Sequence, residues 1–158
     1  MKYGRDFFRV AIHASGQLGQ RAILLSNHTE QIPRQLPPDI VHFDYIPFSQ
    51  ILPRCAALIH HSGIGSTAQA LAAGIPQLIM AMAFDQMDNA ARVERLEVGY
   101  GLSRRQFRTR RVQTLLAQML ESNEMAAHLR ERSGQLVNDT ALDKTAALLE
   151  KLVGQDQS

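Results

Sequence analysis

The sequence predicts an α/β fold, an open parallel sheet with helices on both faces. Three observations carry that prediction. Short apolar runs alternate along the chain with segments of helical period. A glycine-rich turn joins one of those runs to the helix that follows it. The 158 residues are 45% hydrophobic and 20% charged, enough for one ordinary globular core and unlike a disordered chain.

In chain order, Phe7, Ala11, Ala14 and Leu18 share one helical face over residues 5–18, and Gly19 stops that helix. Arg21–Leu25 is a short apolar run suited to a buried strand. Residues 26–39 contain Asn27, Pro33, Pro37 and Pro38 and read as loop with one short helical turn. Ile40–Phe43 is a second strand, Phe48–Leu52 a helical turn closed by Pro53, and Ala56–His60 a third strand. Ser66–Ala73 is a helix ended by Gly74 and Pro76, and Gln77–Met82 a fourth strand. Met87–Leu96 is a helix and Gly99–Leu102 a short fifth strand. Val112, Leu115, Leu116, Met119 and Leu120 then recur at helical spacing. Met125 and Leu129 mark a further helix, and Ala141, Leu142, Thr145, Leu148, Leu149 and Leu152 a last one. No repeat or linker divides the chain, so residues 1–158 are expected to form one domain. The pattern opens on a helix where such sheets open on a strand, so the first strand of the sheet is expected to be missing.

Charge and cysteine content narrow the function classes. The 17 basic and 15 acidic residues leave a net charge of +2, too balanced to argue for nucleic acid. No apolar run approaches the roughly 18 residues of a membrane span. Met1–Asp6 leads into a charged amphipathic pattern, unlike a signal peptide. Cys55 is the single cysteine, so no intrachain disulfide forms, and a cytoplasmic location is expected. Arg104–Arg111 holds five arginines in eight residues. That run reads as a solvated stretch entering the next helix, or as a peripheral contact with the anionic inner face of a membrane.

The chemistry concentrates in His60-His61-Ser62-Gly63-Ile64-Gly65-Ser66-Thr67, which leaves a strand and opens a helix. Glycines allow a tight turn and a close backbone approach. The helix start presents unpaired N–H groups and a partial positive charge, a combination suited to phosphate or pyrophosphate. A plain strand–turn–helix joint capped by Ser66 also accounts for these residues. The loop lacks the Gly-Lys-Ser/Thr of a Walker motif and the Gly-x-Ser-x-Gly of a nucleophile elbow. Gly63-x-Gly65-x-x-Ala68 with Asp85 imitates a dinucleotide fingerprint, but at least two strands precede it where that fingerprint opens a domain. His61 can hold a phosphate oxygen through a ring N–H. His60 points to the opposite strand face and reads as structural. His28, His42, His60 and His61 match no metal-ligand spacing. Asp85 and Gln86 pair a carboxylate with a carboxamide, equipment for sugar hydroxyls, or Asp85 or Asp88 caps a helix whose first-turn Asn89 braces the loop. Tyr45, followed by Ile46 and Pro47, offers an aromatic face for a base, or sits on the core rim.

Order and spacing say more than any one motif. Phe43-Asp44-Tyr45-Ile46-Pro47, Leu52-Pro53-Arg54-Cys55, Ala56-Ala57-Leu58-Ile59-His60-His61-Ser62-Gly63-Ile64-Gly65-Ser66-Thr67, Ala73-Gly74-Ile75-Pro76-Gln77 and Asp85-Gln86-Met87-Asp88-Asn89-Ala90 follow one another. Together they closely resemble the donor-binding signature of the nucleotide-sugar glycosyltransferases. That family contains the UDP-glucuronosyltransferases, plant secondary-metabolite glycosyltransferases and bacterial antibiotic and rhamnolipid enzymes, and the rhamnosyltransferase-like branch is most similar. The dense part of the resemblance covers residues 20–102.

The resemblance implies the C-terminal, donor-binding half of a GT-B enzyme with a Rossmann-like fold. Such an enzyme transfers a hexosyl group from a UDP-sugar or dTDP-sugar to an acceptor hydroxyl, with inversion and with no cofactor beyond the donor. It implies that His61 contacts the diphosphate, that Gly65, Ser66 and Thr67 form the phosphate cradle, and that Gly63 belongs to the nucleotide-sugar-binding residues. Tyr45 would stack on the base, with Ile46 backbone groups on its edge. Gln69 would face the ribose, and Asp85 and Gln86 the sugar. Gln69 replaces a common glutamate, Ala81 a common proline, and Tyr45 and Phe48 the tryptophan and glutamine of plant members. The catalytic base and acceptor site are implied to lie in an N-terminal half that this sequence does not contain, so the chain alone is expected to be inactive. A non-catalytic nucleotide-binding or regulatory module is the alternative, and a dinucleotide-binding domain a more distant one.

Overall fold

The computed structural model describes residues 4–82, 84–137 and 145–151. Helix α1 (Gly4–Gln17) precedes strands β1 (Ala22–Leu25) and β2 (Ile40–Phe43). The short helix α2 (Phe48–Ile51), strand β3 (Leu58–His60) and helix α3 (Ile64–Ala72) follow. Strand β4 (Gln77–Ala81), helix α4 (Gln86–Arg95), strand β5 (Gly99–Ser103), and helices α5 (Thr109–Glu121) and α6 (Asn123–Val137) complete the order. Residues 145–151 are helical, within the last expected helix, whose Ala141, Leu142 and Leu152 lie outside the described residues.

All strand pairs are parallel, but they form two sheets, β1–β2 and β3–β4–β5. The single open sheet expected from the alternation is therefore divided, with no ladder between β1 and β3 among the described residues. One apolar core nevertheless spans both sheets, drawing Leu24 and Ile40 together with Leu78, Ile79 and Val112.

β4 organises this core. All five of its residues are buried, and Leu78 and Ile79, which point to opposite faces, are both fully inaccessible. A strand covered on both faces is the signature of a parallel sheet between helical layers. Helix α1 lies against α5, α3 against α6, and α4 against β4 and β5. The helices form because their apolar residues fall on one side: Val112, Leu115, Leu116 and Met119 are the buried residues of α5.

The ends of the elements differ in places from the sequence reading. Helix α3 begins at Ile64 after a Gly63 N-cap, so Ser66 lies in its first turn and does not cap it. The turn at Phe48 continues through Pro53 as a 3-10 turn to Arg54, because proline is tolerated at the first positions of a helical turn. Strand β3 starts only at Leu58, where its pairing with Gln77 begins. Gly74 ends α3 as expected: its φ is +68°, and the N–H groups of Gly74 and Ile75 donate to the carbonyls of Leu71 and Ala70.

Gly99 sits opposite Gln77 in the β4–β5 ladder. A Cβ there would run into the Gln77 backbone carbonyl and reach within 2.9 Å of Val93 Cγ1. The obstruction is backbone in a central strand, so it cannot yield cheaply. Gly99→Ala is expected to destabilise the fold by about 3 kcal/mol, read as a lowered midpoint with unchanged slope in urea denaturation.

Candidate nucleotide-sugar site

The candidate site is built on the carboxyl ends of β3 and β4, the edge where open α/β sheets bind ligands. Two loops leave that edge. The first is His61-Ser62-Gly63, which enters α3; the second holds Phe84 and Asp85 and enters α4.

The first loop is fixed from below. His60 is 8% exposed, and its Nδ1 accepts the Ser62 N–H at 3.1 Å. Its other nitrogen must then carry the proton, and Nε2 donates to Gln77 Oε1 at 3.0 Å. Gln77 Nε2 in turn donates to the Thr67 carbonyl at 3.3 Å. Ser62 is fully buried with φ +65°, a left-handed conformation unusual for a residue with a side chain. Thr67 Oγ1 donates to the Gly63 carbonyl at 3.1 Å and lies 3.4 Å from Ser62 Oγ. The Thr67 hydroxyl thus turns inward and braces the turn, where the sequence had suggested a cradle hydroxyl.

Above this bracing the loop is open. Gly63, Ile64 and Gly65 are exposed, and a Cβ on either glycine would meet nothing within 4 Å. Helix geometry leaves the N–H groups of Ile64, Gly65 and Ser66 without intrahelical acceptors. Thr67 N–H is the first to find one, the Gly63 carbonyl at 3.0 Å. Three amides and the positive end of α3 therefore face open space.

His61 lies on the opposite strand face from His60, as alternation requires. Its ring packs against Phe7 of α1 with centroids 4.4 Å apart, and Phe7 stacks on Phe107 at 5.2 Å. Burial pushes its pKa below the usual histidine value, partly countered by the bond to Met80. His61 Nδ1 lies 3.2 Å from the Met80 carbonyl, which can only accept, so Nδ1 carries the proton. In the neutral ring, Nε2 is then a lone pair.

The second loop presents Asp85 and Gln86. Gln86 Oε1 accepts the Met82 N–H at 3.0 Å, which leaves its amide group as donor. Asp85 Oδ2 accepts from Asn89 Nδ2 at 3.1 Å, which leaves Oδ1 as acceptor. Asp85 makes no side-chain cap on α4, and Asp88 pairs instead with Arg92 at 2.8 Å.

The remaining expected residues are placed apart from these loops. Tyr45 is 77% exposed and Ile46 half-buried, just beyond the end of β2 in the two-stranded sheet. Gln69 is exposed on α3. The five arginines of residues 104–111 are all exposed, while Phe107 among them is buried. No helix among the described residues is long and apolar enough to cross a membrane. The sequence reading passed over the part played by Ser62 and Gln77, and gave Asn89 only as a first-turn brace of its own loop. A signal did exist for Gln77, a polar residue opening an otherwise apolar strand.

His60 supplies a test of the bracing. Burial lowers its pKa to about 4, outweighing the opposing bond to Gln77, with a smaller contribution from the neighbouring His61. The unfolded chain therefore binds a proton that the folded chain refuses between about pH 6.5 and about 4. The stabilisation is complete above this window and is lost as pH falls through it. Wild type is expected to lose about 2 kcal/mol more than His60→Gln between pH 7 and pH 5 in denaturant titrations.

Comparison with known proteins identifies the family and matches the fold. The family described as erythromycin biosynthesis protein CIII-like, C-terminal domain, matches residues 11–153. The aclacinomycin-T 2-deoxy-L-fucose transferase of Streptomyces galilaeus is 28% identical over 146 residues, covering 91% of this chain and 33% of the relative. The chain thus spans about a third of that relative's length. The glycosyltransferase of kitacinnamycin superposes with a TM-score of 0.83 at 19% identity, covering 92% of this chain and 39% of that one. The glycosyltransferase VinC, solved in complex with dTDP, gives a TM-score of 0.80 at 20% identity, covering 91% and 37%. The chain belongs to the erythromycin biosynthesis protein CIII-like C-terminal domain family of GT-B glycosyltransferases.

Proposed function

We propose that this chain is the donor-binding half of an inverting glycosyltransferase that moves a hexosyl group from a UDP-sugar or dTDP-sugar to an acceptor hydroxyl. The observation that carries the reading is the open edge of α3. Three unpaired amides there lie beside a loop that presents one carboxylate oxygen and one carboxamide donor. The diphosphate rests on the amides of Ile64, Gly65 and Ser66. Asp85 Oδ1 accepts from a sugar hydroxyl, and the Gln86 amide donates to one. Tyr45 stacks on the base with Ile46 backbone groups at its edge, and Gln69 reaches the ribose. The dTDP in the VinC structure supports this choice of ligand class.

In the reaction, the acceptor oxygen attacks the anomeric carbon while the bond from that carbon to the diphosphate breaks. Negative charge grows on the departing oxygen, and fixed amides stabilise it without reorganising. The base that removes the acceptor proton comes from a preceding acceptor-binding half. A strand ahead of α1 would sit between β1 and β3, where the strand order of doubly wound sheets places it. The chain alone is then a binding module without turnover.

Two measurements test the reading. His61 has its Nδ1 proton committed to Met80, so a phosphate oxygen at Nε2 requires a second proton on the ring. UDP or dTDP binding is expected to be accompanied by proton uptake and to tighten as pH falls, because the free ring's pKa is lowered and the diphosphate favours the protonated form. Calorimetry in buffers of differing ionisation enthalpy reads that uptake, and His61→Ala should abolish it. Equal heats for both proteins remove the phosphate role. Gly65→Ala separates binding from folding. The added methyl meets no protein atom, so stability is expected to hold or to rise by about 0.4–1 kcal/mol. Nucleotide affinity should fall about tenfold, roughly 1.4 kcal/mol, because the methyl occupies the space above the amides.

A further inference from the structure

We propose that Asn89 is a positioning residue that sets Asp85 at a fixed distance from the diphosphate turn, so that the site distinguishes a sugar nucleotide from the bare nucleoside diphosphate. This rests on the donor-site reading above.

Asn89 is 5% exposed in the first turn of α4, yet its side chain serves two different loops. Its Nδ2 donates to the Ser62 carbonyl at 2.9 Å, and also to Asp85 Oδ2 at 3.1 Å. Both partners can only accept, so the amide cannot be flipped without facing oxygen against oxygen. The two hydrogens of one NH2 group are thus both committed, one to each half of the site. Ser62 is itself held by His60 on its N–H side, so the anchor at that end is buried and rigid. At the other end Asp85 is exposed, and the bond from Asn89 is what orients its carboxylate. Among the described residues, Asn89 is the side chain that hydrogen-bonds both to the turn and to Asp85, so it couples the position of the carboxylate to that of the turn. A carboxylate left to rotate freely would still lie near the sugar, but it would have to be ordered on binding.

The test compares dTDP with dTDP-glucose, and UDP with UDP-glucose, by calorimetry on the whole chain. Asn89→Ala is expected to weaken the sugar nucleotide about fivefold more than the diphosphate. The same substitution in an Asp85→Ala background should leave the ratio of the two affinities unchanged, because Asn89 acts on the sugar through Asp85. Asn89→Ser supplies a second variant should the alanine protein fail to fold; its single hydroxyl hydrogen can serve only one acceptor, and an intermediate ratio is expected. A wild type that binds both ligands, with variants that weaken them equally or add independently to Asp85→Ala, overturns the positioning role and leaves the donor site standing. A wild type that binds neither ligand overturns the donor-site reading, and this role with it.

Discussion

A neutral histidine under the glycine turn is the constraint on which the site depends. Ser62 must hold a left-handed backbone at the end of β3, a conformation that costs a residue with a side chain about 1 kcal/mol or more. His60 offsets that cost by accepting the Ser62 N–H, and it can do so only while unprotonated. Its own burial enforces the neutral form, because a charge in that place would be poorly solvated. Gln77 completes the direction of the chain, accepting from one histidine nitrogen and passing a hydrogen on to the Thr67 carbonyl. The polar groups beneath the loop are therefore mutually satisfied, and those above it stay open.

The division between braced and open groups explains why neighbouring residues of one motif do different things. Ser62 and Thr67 spend their hydroxyls on each other and on Gly63, inside the protein. Gly63 and Gly65 have free space above them. The glycines are thus not demanded by packing, unlike Gly99, whose hydrogen faces the backbone of β4.

The aromatic stack of Phe7, His61 and Phe107 ties the start of α1 and the approach to α5 to the same edge. Phe107 buries itself in the middle of a run of exposed arginines and so pins that run beside the site. The stack also desolvates His61, which disfavours its charged form.

Much of this protein was legible in the chain before any fold was drawn. Alternating apolar runs and helical periods identified five strands and their helices, because burial on a sheet face or helix stripe acts residue by residue. The order of the histidine–glycine turn, Gly-x-Pro and Asp-Gln pointed to the family for the same local reason: a turn, a helix stop and a loop each need their own residue types. The inward hydroxyl of Thr67, the tautomers of His60 and His61 and the two-ended role of Asn89 were not legible. Each depends on atoms brought together from distant positions, such as Ser62 with Asn89 or His61 with Phe7. A hydrogen bond has a direction, and that direction is settled only when both partners are in place. Local residue types thus marked the turn, the helix stop and the Asp-Gln loop, whereas the folded arrangement settled which of their polar groups face inward as bracing and which stay unpaired, because each hydrogen bond needs both of its partners in place.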